Sequence, residues 1–345
     1  MTWSLESGGP IWTAPPQALL TDDPAWFTAS RAVEGGKNIL LRNGGACWPF
    51  RIRKRFGLTI LESAGQNTRS VAGPLTFSLV ESAYSTERNP LPRLTAKDLP
   101  SPVDLVDLRR LPKECLPSLF PDVPGRAERP DTLWFSRSLG PTAEDFLASL
   151  ASSTRKEYKY SANRVRRTFG AQNIRYQKIR LTKEFFDETW AKATAIAPYT
   201  WQGKSGVSVL VSRAKKRFLE ELAGGAMPVF THLYHLGDTL AAVAVSMELS
   251  GQCLIYAHEY NALLSKFRPG ALIDLELITR AMEDGARVLD FGIGDTPNKR
   301  MIRCVPVPLW RVRVPLTVRG RLAVAAGYAG SLAARMIRKV GDVGR

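Results

Sequence analysis

Apolar and polar positions alternate along this chain with two periods, and each change of period marks an element. The stretch PTAEDFLASLASSTRKEYKYSANRVRRTFG opens on Pro141-Thr142 with Glu144 and Asp145 behind it and closes on Gly170, a helix start and a helix stop. Residues 172–180, QNIRYQKIR, alternate like a strand. Thr182 predicts the cap of a helix over 183–196, and another fits 208–223, ending at Gly224-Gly225. In MPVFTHLYHLGDTLAAVAVSMEL two β-rich runs flank Gly237-Asp238, a hairpin signal. GQCLIYAHEYN supplies a third strand, and a helix over 270–284 stops at Gly285. ARVLDFGIG reads as a buried strand and MIRCVPVPLWRVRV as an interrupted last one. Mostly antiparallel strands broken by one strand–helix–strand crossover predict an α+β fold, a mixed sheet flanked by helices.

The first half has fewer signals. NILLRN (38–43) and LTIL (58–61) predict short strands around a turn region with Gly44-Gly45. Prolines then crowd the segment from Glu87 to Pro130, which argues against continuous helix and leaves VDLVDLRRL as one short element. The segment reads as a join. The expected organisation is an N-terminal domain over 1–130, a second over 131–316 and a basic helix or tail over 317–345. No internal repeat of solenoid period is visible.

Hydrophobic residues are 44% and charged residues 23% of the 345, the balance of a folded chain with a full core. The net charge of +16 adds what periodicity cannot: an acidic partner, which can be nucleic acid, a phosphorylated cofactor, an anionic polymer or a membrane face. Cys47, Cys115, Cys253 and Cys304 are widely spaced and form no CxxC pair. That argues against a disulfide framework or zinc module and for a reduced, cytoplasmic setting. MTWSLESGGP lacks the basic-then-apolar order of a signal peptide. The run from Leu322 to Ala334 is shorter than the about 20 residues a spanning helix needs. Arg319, Arg321, Arg335, Arg338 and Lys339 flank it, so the tail is a candidate for peripheral contact with the inner membrane face, or for packing on its own domain.

Candidate chemistry begins at RPGALIDLEL, 268–277. A helix that starts here points free backbone N–H groups, and the positive end of its dipole, at whatever precedes it. Pro269 removes a donor the helix does not need, and Gly270 permits close approach. With Lys266 and Arg268 alongside, the N–H groups from Gly270 through Ala271 and Leu272 form a candidate cradle for a pyrophosphate. An ordinary loop leading into a helix is the alternative.

With these elements in order, the C-terminal half, about 142–314, resembles the GNAT acyltransferase superfamily, and within it the CelD-type, cellulose-biosynthesis branch related to the FemAB peptidyltransferases. STRKEYKYSANRVRRTFG, PGALIDLELITRAMEDGARVLDFGIGD and Lys299, four residues after Asp295, carry the resemblance. DPAWFTAS (23–30) and GPLTFSLVESAYSTERNPLP (73–92) extend a looser likeness into the first half, which implies tandem GNAT-like domains, the first degenerate. The superfamily's Gln/Arg-x-x-Gly-x-Gly/Ala loop is absent, with Arg268-Pro269-Gly270 in its place, and Asn298 stands where the branch often has Tyr.

The resemblance implies direct transfer of an acyl group from a thioester to an amine. The donor would be acetyl-CoA or another acyl-CoA, without a metal. The acceptor would be an amine-bearing or carbohydrate small molecule such as a sugar or envelope precursor. An alkylamine of pKa about 10 must lose a proton before attack. The oxyanion needs donors, typically backbone N–H groups where strands splay. Candidate bases are His258 and Glu259 at the end of one strand and Asp290 and Asp295 after the next; Tyr256 or Tyr260 is a candidate acid. Lys299 is expected to pair with Asp295, the preferred base, or to steady an anionic substrate.

Other readings stay open. The FemAB likeness implies aminoacyl-tRNA as donor. Residues 151–180 carry nine Lys/Arg against one acid, Glu157, with Tyr158, Tyr160 and Phe169 interleaved. That suits a nucleic-acid surface as well as a solvated helix face. GIGD (292–295) contains Gly-x-Gly, but Pro297 and the basic residues after it predict no helix, which argues against a dinucleotide loop. His232 and His235, three apart in a strand, point to opposite faces and predict no shared metal.

Overall fold

The computed structural model describes residues 4–6, 24–43, 46–64, 93–99, 102–225 and 227–327. In the first part of the chain lie β1 (Ser4–Glu6), α1 (Pro24–Glu34), β2 (Lys37–Asn43), β3 (Ala46–Arg55), β4 (Leu58–Ser63), β5 (Leu105–Pro112) and β6 (Ala127–Ser138). Then come α2 (Ala143–Ser149), α3 (Ser152–Phe169), β7 (Ile174–Arg180), α4 (Phe186–Thr194), α5 (Trp201–Lys204) and α6 (Arg213–Ala223). The rest is β8 (Val229–Leu236), β9 (Thr239–Leu249), β10 (Gln252–Tyr260), α7 (Pro269–Glu283), β11 (Val288–Ile293), α8 (Pro297–Met301) and β12 (Val305–Pro315).

Two compact units exchange segments. The first holds β1, Glu34–Thr132 and the described residues from Pro308; the second holds Leu133–Val307 and the described part of Thr13–Val33. Both follow one topology. In the first, β1 to β4 run antiparallel, β4 pairs in parallel with β5, and β12 lies antiparallel to β5. In the second, β7 to β10 run antiparallel, β10 pairs in parallel with β11, and β6 lies antiparallel to β11. This is the expected mixed α+β architecture in tandem. The repeat lies in topology, so no sequence period betrays it.

Local chemistry moves several boundaries. The single helix expected over 141–170 is two. Thr142 caps α2 by accepting from the Asp145 N–H, and the chain extends at Leu150, which turns into the core. Arg155 Nη1 then donates to the Ala148 and Leu150 carbonyls at 2.7 and 2.6 Å, closing the open end of α2. One cation of the basic helix is therefore structural. The helix expected from 208 begins at Arg213, capped by Ser212. The five-residue helix α8 does follow GIGD, contrary to expectation, because Pro297 occupies its first position, where a missing N–H costs nothing.

Two apolar layers cover the sheet of the second unit. Cys253, Ile255, Leu272 and Leu277 lie in one; Leu254, Trp190, Phe218 and Trp26 lie in the other. His232 is threaded between Tyr176 Oη and Ser246 Oγ, each at 2.7 Å. Ser246 Oγ donates in turn to Glu248 Oε1 at 3.3 Å. Burial pushes this imidazole down to about 3, so it stays neutral.

Residues 318–327 are helical, and Val324 there packs with Ile60 and Leu105 in the first unit. Arg335, Arg338 and Lys339 of the tail, and the 73–92 segment, lie outside the described residues. Among the described residues no helix is long and apolar enough to cross a membrane.

Candidate active site

β10 and β11 pair only from Gln252–Leu254 against Val288–Asp290, although β10 runs on to Tyr260 and β11 to Ile293. Past that point they part: β10 stays with β9, and β11 rejoins β6 at Ile293 opposite Trp134. The register of β10 shifts between Ile255 and Ala257, a bulge at Tyr256. The bulge decides which side chains face the gap. Tyr256 and Ala257 both join the layer of Trp26 and Phe218. His258 and Tyr260 turn to the α7 side, and Glu259 turns away from it.

On the α7 side His258 Nδ1 lies 3.3 Å from Oδ1 of Asp274. Asp274 is buried one turn into α7, and its Oδ2 accepts from Asn298 Nδ2 at 2.9 Å. Burial holds its carboxyl above the ordinary range, opposed by His258 and the Asn298 bond. His258 Nε2 and Asp274 Oδ1 are both buried and make no hydrogen bond among the described residues, so the imidazole and the carboxyl stand in contact without a bond between them. This carboxylate–histidine pair escaped the motif search. Its signal was present: Asp274 falls in register with Gly270, Ala271, Leu277 and Ile278 on the buried stripe of an otherwise apolar helix face.

Gly270 leaves room for this imidazole. A Cβ there would stand 2.7 Å from His258 Nε2 and 3.1 Å from Tyr260 Cδ1. Gly270→Ala is therefore expected to destabilise the fold by about 1–3 kcal/mol and to slow turnover by displacing the ring. Thermal unfolding and steady-state rates on the one variant check both.

The other predicted residues take different roles. Glu259 is buried on the far face, accepting from Thr200 Oγ1 at 2.9 Å and Ser208 Oγ at 2.6 Å, so it anchors a loop and is no base for this gap. Tyr256, on that same far face, is no acid for it. Asp290 Oδ1 accepts from Trp134 Nε1 and from the Gly292 N–H, both at 2.7 Å. Asp295 pairs with Arg300 rather than Lys299, at 2.9 Å to Nε. The Arg300 bond holds its carboxyl below the usual range, which makes it a poor base. Asp295→Ala is expected to leave kcat unchanged; a loss as large as that of a His258 variant would restore it as the base.

Lys299 is buried, and its ammonium donates to three consecutive carbonyls, Gly292 at 3.2 Å, Ile293 at 2.7 Å and Gly294 at 2.8 Å. Burial pushes it down to about 8. Asp290 and Lys299 thus clamp the turn after β11 from its two ends.

The residues of the expected pyrophosphate cradle stand at the start of α7. Pro269, Gly270, Ala271 and Leu272 are all buried, and the Ala271 and Leu272 N–H groups both bond the Arg268 carbonyl. Arg268, at φ 53°, turns its side chain to Glu157 and to Met301 Sδ. Lys266 lies over the Phe267 ring, 5.0 Å from its centroid. The helix end packs on His258 and Tyr260 at Gly270.

Residues 152–300 match the family model described as an acetyltransferase (GNAT) domain, a segment that holds His258, Asp274 and Lys299. No curated protein matches the chain in sequence. FemX superposes with a TM-score of 0.53 at 10% identity, covering 85% of this chain and 92% of its own. A conserved protein of unknown function from Bacteroides thetaiotaomicron gives 0.52 at 12%, covering 87% and 93%. The C-terminal domain of a putative lysylphosphatidylglycerol synthetase from Agrobacterium fabrum gives 0.51 at 10%, covering 87% and 90%. At such identities the likeness is one of fold.

Proposed function

We propose that the chain transfers an acyl group to an amine on a small acceptor, such as a sugar or envelope precursor, with His258 as general base. The observation that carries this reading is the parting of β10 and β11 beside a half-buried imidazole whose Nδ1 lies 3.3 Å from a carboxyl oxygen and whose Nε2 is unpartnered among the described residues. Nε2 takes the proton that the amine must lose, and Asp274 steadies the imidazolium that results. Backbone N–H groups past Leu254, without a partner strand on the side of β11, are the donors available to the oxyanion. Tyr260, whose ring centroid lies 6.4 Å from that of His258, is the acid of this reading, protonating the leaving group.

The matched acetyltransferase model supports acyl-CoA as donor. A second reading, aminoacyl-tRNA, is favoured by two observations: the start of α7 is buried, and the outer face of α3 exposes Lys156, Lys159, Arg166 and Arg167 around an exposed Tyr160. That face equally suits the simple nucleic-acid binder of the sequence reading. The test combines the purified chain with acyl-CoA and a panel of amines and follows thiol release. Release that His258→Ala abolishes supports the reading; undiminished release in that variant overturns the base. Calorimetry with CoA against charged tRNA then separates the donors, since phosphate contacts make tRNA binding fall steeply with salt.

A further inference from the structure

The loop from Ala197 to Ser212 is built inside out. Its polar side chains point inward: Thr200, 0% exposed, and Ser208, 3% exposed, both donate to Glu259. Gln202 Nε2 donates to the His258 carbonyl at 3.0 Å. The Val207 and Ser208 N–H groups close back on the Gln202 carbonyl at 3.0 and 3.2 Å, so the loop is a tight knot fixed to the end of β10. Its apolar side chains point outward: Tyr199 is 47%, Trp201 56%, Val207 60% and Val211 55% exposed. Single exposed apolar residues are ordinary, but four on one knot whose hydroxyls are buried call for a partner.

Charge indicates which partner. From Thr189 to Leu219 the chain holds Lys192, Lys204, Arg213, Lys215, Lys216 and Arg217 and no acid, though Lys192 and Lys216 pair with Glu188 and Asp187 just before that stretch. Lys204, Arg213 and Arg217 are exposed. Aromatic rings with aliphatic neighbours, ringed by cations, match the layered chemistry of a bilayer surface, acyl boundary within and anionic headgroups around it. A nucleic acid would use the rings and the cations, but Val207 and Val211 offer it no stacking face.

We infer that the 197–212 loop docks this protein on a membrane surface bearing anionic lipid. Trp201, Tyr199, Val207 and Val211 enter the interface, and the cations of the loop and of α6 meet the headgroups. Docked so, the gap between β10 and β11 lies beside the headgroup layer, because the loop is bonded to His258 and Glu259. Docking is independent of the chemistry at His258, and its failure leaves the acyl-transfer reading untouched.

The test is co-sedimentation of the full chain with phosphatidylglycerol–phosphatidylcholine vesicles. Binding is expected to drop by about tenfold or more in the combined variant Trp201→Ser, Val207→Ser, Val211→Ser, and to weaken with phosphatidylcholine alone. The substituted side chains are exposed, so the unfolding temperature should hold, which separates lost docking from lost folding. Brominated lipid should quench tryptophan emission in the wild type and much less in Trp201→Phe. Unchanged vesicle binding in the combined variant, as a basic tail acting alone would give, overturns the inference. So does absence of quenching, or a chain that ignores vesicles while the variant loses affinity for single-stranded RNA.

Discussion

Replacing His258 by alanine is expected to slow turnover by about 10²–10⁴-fold, the usual range for loss of a positioned general base. The ring is not part of the deep core: 15% of the side chain is exposed, and its carbonyl bond to Gln202 belongs to the backbone and survives the change. The unfolding temperature should therefore move little while kcat falls. Asp274→Asn keeps the shape of the pair but removes the charge facing the imidazolium, so it should reproduce most of the loss. If both variants keep the wild-type rate, the base lies elsewhere, and the gap between β10 and β11 is not where chemistry occurs.

Lys299→Met should lower stability by about 2–3 kcal/mol, because three carbonyls lose a common donor while a buried charge is relieved. Turnover should fall with it, since the turn these carbonyls form shapes one wall of the gap. The effect carries a pH signature. The folded amine titrates at about 8 against an ordinary 10.5, so between those values the unfolded chain binds the proton the folded chain has released. Stability from this group therefore rises with pH across that window. Wild type should gain on Lys299→Met as pH climbs from 8 towards 10 in chemical denaturation. A constant difference between the two would show that Lys299 does not titrate there.

The sequence was a better guide to elements than to roles. The hairpin at Gly237, the strand ending at Tyr260, the helix from Pro269 and the strand from Val288 are where periodicity and turn chemistry place them. The crossover between β10 and β11 follows from their order. Residue roles were less legible. Glu259 and His258 are neighbours of equal promise on paper; the pleat sends them to opposite faces, and a bulge at Tyr256, which leaves no mark on the pattern, decides which of them faces α7. The resemblance implies Asp295 as the partner of Lys299, but a five-residue helix brings Arg300 to it and sends Lys299 inward.

By itself, the sequence determined an α+β chain of mostly antiparallel strands with a crossover in its second half, a strong excess of positive charge and a helix opening on Pro-Gly. These rest on local periodicity and composition, which need no knowledge of neighbours. Only the tertiary structure decided that Gly270 yields its space to His258, that Asp274 sits against that ring, and that the start of α7 is buried. Those facts depend on side chains from distant segments meeting at a few ångströms. Burial and contact of that kind are set by how the layers close, not by any one segment's pattern.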